Sequence, residues 1–185
     1  YNPEGFASLF IGEINNALKD HIAERIEFEI TPAPTHWGLL LEDAFPVEKE
    51  FPQKELVEGS SASLYDHVQI DSDVEERFVK LKLNEDDQVA FYFKFPPTFK
   101  IDFPRIIGNY NPDWGIARYK DGKVLLELVR ETKGGENLDH LRFPHEARKI
   151  RCAQKVFTTL GVDYRVVTDQ TADWWESAVE QGKFL

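Results

Sequence analysis

The 185-residue chain has one cysteine, no methionine and no apolar run near the ~20 residues of a membrane span. A lone Cys152 cannot close an internal disulfide, so a disulfide-stapled secreted fold is excluded and a reducing, cytoplasmic compartment is expected. Cys152 lies in an apolar helical pattern, where buried packing is its expected role. The start, Tyr1-Asn2-Pro3-Glu4, has neither the basic residues nor the apolar run of a signal peptide, and without an initiator Met the expectation is a piece of a longer chain. No Gly-x-x-x-x-Gly-Lys-Ser/Thr phosphate loop occurs, so ATP binding by this segment is not expected. Internal repeats and low-complexity segments are also missing. Positive charge is scarce: 22 Lys and Arg against 33 Asp and Glu leave a net −11, which argues against nucleic-acid binding by the whole surface.

The charge is unevenly spread. Residues 1–97 hold 8 basic and 20 acidic side chains, whereas residues 98–185 hold 14 and 13. The window 118–155 has 10 basic and 6 acidic residues, enough for a local phosphate-binding face. Hydrophobic content of 42%, charged content of 30% and aromatic content of 13% describe a soluble globular chain with a packed interior.

The stretch Asn111 to Lys133 organises the rest. Two apolar runs flank Lys120-Asp121-Gly122-Lys123, and an Asp-Gly pair in that setting predicts a β-hairpin. Alternation along the second strand puts Glu127, Val129, Glu131 and Lys133 on one face and Val124, Leu126, Leu128 and Arg130 on the other. Asp113, 18 positions before Glu131, can reach the same point from the neighbouring strand. Two carboxylates and the carbonyl of Thr132 are hard oxygen donors, suited to Mg²⁺ rather than zinc. A lysine beside them, Lys133, can orient an attacking water or offset charge on a phosphate. Metal-dependent nucleases use this grouping.

Elsewhere the pattern predicts an amphipathic helix over residues 5–25, with Phe6, Phe10, Ile14, Leu18 and Ile22 as a core-facing stripe. A strand is expected from Arg25 to Ile30, ended by Thr31-Pro32-Ala33-Pro34. Residues 35–62, with Trp37 and Leu39-Leu40-Leu41, give no clear element apart from a loop at Gly59-Ser60-Ser61. A second helix is expected over 71–83 with Val74, Phe78 and Leu81 inward. Ser72 is its N-cap and Glu75 completes a capping box. Gln88 to Phe95 reads as a strand broken by Pro96-Pro97, and Phe99 to Phe103 as extended chain. Gly134-Gly135 is a flexible exit from the hairpin. A third helix runs from Pro144 to Leu160 and stops at Gly161. On it Glu146 and Lys149, three apart, read by default as a surface ion pair. A short strand over Tyr164 to Val167 and a closing helix over 171–180 complete the chain, with Trp174 and Trp175 as packing groups.

Four stretches together resemble the C-terminal nuclease domain of the Res subunit of type III restriction enzymes. They are Tyr65-Asp66-His67-Val68 with Asp71 to Phe78; Gly108-Asn109-Tyr110-Asn111-Pro112-Asp113-Trp114; Glu131-Thr132-Lys133-Gly134; and Leu141-Arg142 through Glu146, with Lys149-Ile150 and Cys152-Ala153. The resemblance covers roughly residues 65–168 and implies a restriction-endonuclease-like fold of the PD-(D/E)xK superfamily. Its α/β core, αβββαβ over residues 71–169, has a mixed central sheet flanked by helices. A helix-strand extension over 1–70 and a C-terminal helix over 170–185 make up the rest of one nuclease domain spanning 1–185.

The same resemblance implies Mg²⁺-dependent cleavage of DNA phosphodiesters, with Mn²⁺ as a substitute. Asp113, Glu131 and the Thr132 carbonyl would be metal ligands, and Lys133 would activate or position the water. Glu75 would point toward the metal, directly or through water, a role that competes with its capping role. Glu146, Lys149 and Arg142 would lie near the site or the DNA. Double-stranded DNA, a helicase-like ATP-driven motor domain of the same parent chain and a modification methyltransferase subunit are the implied partners. One centre cuts one strand, so a second nuclease copy is expected for a double-strand break. A catalytically degenerate nuclease fold that binds DNA or organises a larger assembly is the alternative. A glycosidase-like pair, Glu127 with Glu131, is disfavoured by the lack of an aromatic sugar platform and by Lys133 beside them.

Overall fold

A computed structural model describes residues 2–30, 44–48, 55–120, 122–134 and 144–176, with only the backbone of 123–127. Asn2 caps the first helix, α1 (Pro3–Arg25), its side chain accepting the amide of Gly5 at 3.0 Å, with proline in the first turn. Two short strands, β1 (Glu55–Glu58) and β2 (His67–Ile70), pair antiparallel. They supply the strands of the N-terminal extension, in a region whose sequence gave no clear strand pattern. Ser72 caps α2 (Asp73–Phe78), which continues as a π-helical turn over Val79–Leu83. Then come β3 (Val89–Lys94), β4 (Trp114–Lys120), β5 (Lys123–Thr132), α3 (Pro144–Leu160) and β6 (Asp163–Val167). From α2 onward this is the expected αβββαβ order.

The four-stranded sheet runs β3-β4-β5-β6. The first three strands are antiparallel, and β6 lies parallel to β5. A parallel neighbour needs a long crossover, which α3 provides. At the β4–β5 turn Lys120 pairs with Lys123 around Gly122, whose φ of 76° suits glycine; Asp121 lies outside the described residues. At the end of α3, Gly161 (φ 72°) donates to the Thr158 carbonyl and Val162 to that of Phe157, the paired bonds of a Schellman stop.

Each face of the sheet carries its own core. On one side Phe78, Val79 and Leu83 of α2 and its extension pack with Trp114, Ile116, Leu128, Val167 and Trp174. On the other, Ile150, Cys152, Ala153 and Phe157 of α3 pack with Phe103, Ile107, Tyr110, Val129, Tyr164 and Val166. Arg130, fully buried, donates to the Trp174 carbonyl at 2.7 Å and pairs with Asp163 at 2.9 Å, tying the C-terminal turn to the sheet. Cys152 is buried in this packing, as expected. Among the described residues no helix is long and apolar enough to cross a membrane.

Five expectations need correction. The α1 stripe is not core-facing: Phe6, Phe10, Ile14 and Leu18 are exposed, because only the last turns of the helix meet α3. There Ala23 is buried, Ile22 packs on the second core, and Arg148 binds Asp20 at 2.6 Å. Arg25 to Ile30 forms no strand; Ile26 and Phe28 instead pack irregularly against the second core. Leu81 is exposed, because the π turn, with Asn84 donating to the Val79 carbonyl, rotates the helix so that Val79 and Leu83 point inward. Phe99 to Phe103 forms only an isolated bridge, Ile101 to Tyr110. Of the closing helix, residues 172–175 form turns, and 177–185 lie outside the described residues, as do Trp37, Leu39-Leu40-Leu41 and Gly135.

Candidate active site

The site forms where β4 begins and β5 ends. Trp114 pairs with Arg130, so Asp113, one residue earlier, stands opposite Glu131. Alternation sends Arg130 into one core and Val129 and Glu131 toward α3. Asp113 is held by its neighbour strand: its Oδ2 accepts the Thr132 amide and the Thr132 hydroxyl, both at 2.7 Å. That hydroxyl in turn accepts the Trp114 indole N–H at 3.3 Å. Glu131 is buried, with Oε1 3.0 Å from the Lys133 ammonium and Oε2 accepting the Tyr110 hydroxyl at 2.5 Å. The Tyr110 and Tyr164 hydroxyls are 2.7 Å apart.

The electrostatics oppose ionisation of both carboxyls. Burial, then the charge of Asp113, pushes Glu131 up to about 8, against the pull of Lys133 and Tyr110. Burial also raises Asp113, opposed by the two hydrogen bonds from Thr132. Burial works against the charge of Lys133, yet Glu131 and Asp113 hold it above the ordinary lysine range. Burial keeps both tyrosines as neutral phenols. Two desolvated carboxyls, only one of them paired with the lysine, form a site that a divalent cation would relieve. Among the described residues no cluster of three or more His, Cys, Asp or Glu side chains could hold a metal. The fit therefore rests on two carboxyls, with backbone and water completing the shell. Such a set of oxygen donors suits Mg²⁺, which retains several waters.

A cavity of about 190 Å³ opens beside Glu131, lined by Asn109, Tyr110, Asn111, Glu131, Lys133, His145, Glu146, Lys149 and Ile150; Asp113 is not in its lining. The structure thus brings Glu131, Lys133, Glu146 and Lys149 around one space. The charge of Glu146 acts on Lys133, and among the described residues no ion pair joins Glu146 to Lys149. Arg142 and the Glu127 side chain lie outside the described residues. Glu75 stands apart from the pair, although its charge is felt at Asp113. Its Oε2 accepts from the Lys94 ammonium at 2.6 Å and from the Asp71 amide at 2.8 Å. Ser72 accepts the Glu75 amide at 3.3 Å, so the cap forms, but the Glu75 carboxylate reaches the amide one residue before the cap. A larger hollow, about 420 Å³, lies at the far end of β4. There Arg118 is paired with Asp86 and stacked on Trp175.

Sequence reasoning overlooked Tyr110, Tyr164 and the hydroxyl of Thr132. Tyr110 and Thr132 sit inside stretches singled out beforehand, but their partners lie on other elements. Tyr164 reaches the site only through the parallel β5–β6 register, which local periodicity does not reveal.

A family model described as an endonuclease domain matches residues 61–170. No curated protein and no solved structure matched the chain.

Proposed function

The chain belongs to the endonuclease-domain family, and from that premise we propose that it hydrolyses DNA phosphodiester bonds at a divalent-metal site of PD-(D/E)xK type. The observation that carries this reading is the register that sets Asp113 opposite Glu131, with Glu131 and Lys133 paired at the edge of one cavity. Asp113, with Oδ2 committed to Thr132, would ligate through Oδ1. Glu131 and the Thr132 carbonyl would supply further oxygen ligands. A bound Mg²⁺, or Mn²⁺ in its place, would polarise the scissile phosphate and acidify a water. Lys133 would orient that water and offset charge on the phosphate. Lys149 lines the same cavity and would meet the DNA backbone, with Glu146 setting the field around Lys133. Glu75 would act through water, since its carboxylate is engaged by Lys94 and Asp71.

The resemblance to type III Res subunits supports the finer assignment: a restriction system in the cytoplasm, working with an ATP-driven motor domain and a modification methyltransferase. Double-strand cleavage of DNA would then draw on a second nuclease copy. In a plasmid-nicking assay with Mg²⁺, Asp113→Ala and Lys133→Ala should each lower cleavage by at least about 100-fold, beyond what an outer partner of a metal ligand usually costs. Circular dichroism should show both variants folded. An Asp113→Ala protein that nicks at the parental rate would overturn the assignment.

A further inference from the structure

Glu131 has two oxygens with unequal freedom. Oε2 is held by the Tyr110 hydroxyl, itself 2.7 Å from the Tyr164 hydroxyl. A phenol has a single proton, so when Tyr110 donates to an ionised Glu131, Tyr164 must donate to Tyr110. The chain of donors runs one way and ends on Oε2. Its members are rigid: Tyr110 stacks on Phe103 at 16°, Tyr164 stacks on Phe157 at 5°, and Tyr110 is bonded through both backbone groups to Ile101. Among the described residues Oε1 meets the Lys133 ammonium alone, at 3.0 Å, on a flexible side chain a quarter exposed.

We propose that Tyr110, backed by Tyr164, is a specificity-determining positioning residue: it withholds Oε2 of Glu131, confines that carboxylate to coordination through Oε1, and so favours a small octahedral cation over calcium. Calcium accepts six to eight oxygens and readily takes a carboxylate in bidentate fashion, whereas magnesium demands near-octahedral geometry and keeps several waters. A glutamate restricted to one oxygen costs calcium a ligand and costs magnesium nothing. The inference rests on the cation-binding reading above.

Calorimetric titration of the full 185-residue chain with MnCl₂ and with CaCl₂ tests it. Tyr110→Phe should weaken Mn²⁺ binding by about 10-fold or more, within the range found for outer partners of metal ligands. Calcium should lose less, because the freed oxygen can join it, so the Ca²⁺-to-Mn²⁺ affinity ratio should rise several-fold. Tyr164→Phe, whose hydroxyl does not touch Glu131, should move the ratio the same way by less, and it decides the matter if Tyr110→Phe fails to fold. A ratio unchanged in the folded variants, whether both affinities hold or both fall together, overturns the proposal. Parental chain that binds neither ion more tightly than Asp113→Ala does overturns the metal reading and the proposal with it; parental binding that needs Asp113, with an unmoved ratio, overturns the proposal alone.

Discussion

Two clusters in this molecule have the same inventory, two carboxylates and one lysine, and opposite character. Around Lys94, Asp71 accepts at 2.7 Å and Glu75 at 2.6 Å, so the ammonium bridges both acids. Asp71 is exposed and also accepts from Gln69, and Glu75 receives a backbone amide. Around Lys133, among the described residues, the ammonium meets Glu131 alone, while Asp113 is held by the neutral donors of Thr132. The first cluster is closed, and it ties α2 to β3. The second is open: both carboxyls are pushed upward by burial, and Glu131 and Lys133 line a cavity. Identical residue types therefore serve cohesion in one place and, on the reading proposed above, cation binding in the other, and the deciding variable is whether the lysine spans both acids.

The largest expected effect on stability breaks the closed cluster. Lys94→Met should cost about 3 kcal/mol in urea unfolding, the low end for breaking a buried pair, because Asp71 stays open to water. Glu75 would be left buried without its cation. Lys133→Met should cost less than about 1 kcal/mol, since Glu131, already raised to about 8, can take a proton instead of standing as an unpaired charge. Equal losses in the two variants would erase the distinction between the clusters.

A pH series sharpens the contrast. Glu131 titrates near 8 in the fold against an ordinary value of 4.5, so between these values the folded chain binds more protons than the unfolded chain. The contribution from this site is fully present below about 4.5 and is lost as pH rises through about 8. Asp113 shifts in the same direction. Without divalent cation, the melting temperature should therefore fall from pH 5 to pH 8, by an amount on the order of 5–10 °C at a few degrees per kcal/mol. Glu131→Gln should flatten that slope. A Glu131→Gln profile parallel to the parental one would show that the site does not carry the effect.

How much of this was legible beforehand follows from the range of the interactions. The β4–β5 hairpin, the Ser72 cap and the Gly161 stop rest on contacts within a few residues, and the local pattern carried them. Opposition of Asp113 and Glu131 followed from that hairpin. Tyr164 could not be placed, because it depends on a parallel register set across α3. Leu81 was misread because a single π turn shifts the helical phase, and no residue type in Val79–Leu83 announces one. The stripe on α1 was read correctly as apolar and wrongly as buried: periodicity reports which residues share a face, not whether anything covers it. Glu75 was ambiguous in the sequence for a physical reason. A carboxylate three residues after a cap can serve the helix terminus, an ion pair or a metal, and only Lys94 on a different strand shows how it is engaged.

The smallest predicted effect separates the cap from the carboxylate within the closed cluster. Ser72 Oγ accepts the Glu75 amide at 3.3 Å, a long bond, whereas the Glu75 carboxylate makes its own contacts to Asp71 and Lys94. Removing the hydroxyl leaves those contacts in place. Ser72→Ala should therefore cost about 0.5–1 kcal/mol, the lower half of the range for a lost cap. Nicking at saturating Mg²⁺ should stay within about twofold of the parent, a difference worth less than about half a kcal/mol. Glu75→Gln keeps the cap and removes the charge, so it should weaken the link to Lys94 and alter the field at Asp113. If Ser72→Ala impairs cleavage as much as Glu75→Gln does, α2 reaches the site through its placement rather than through its carboxylate, and the closed cluster would have to be counted as part of the catalytic frame.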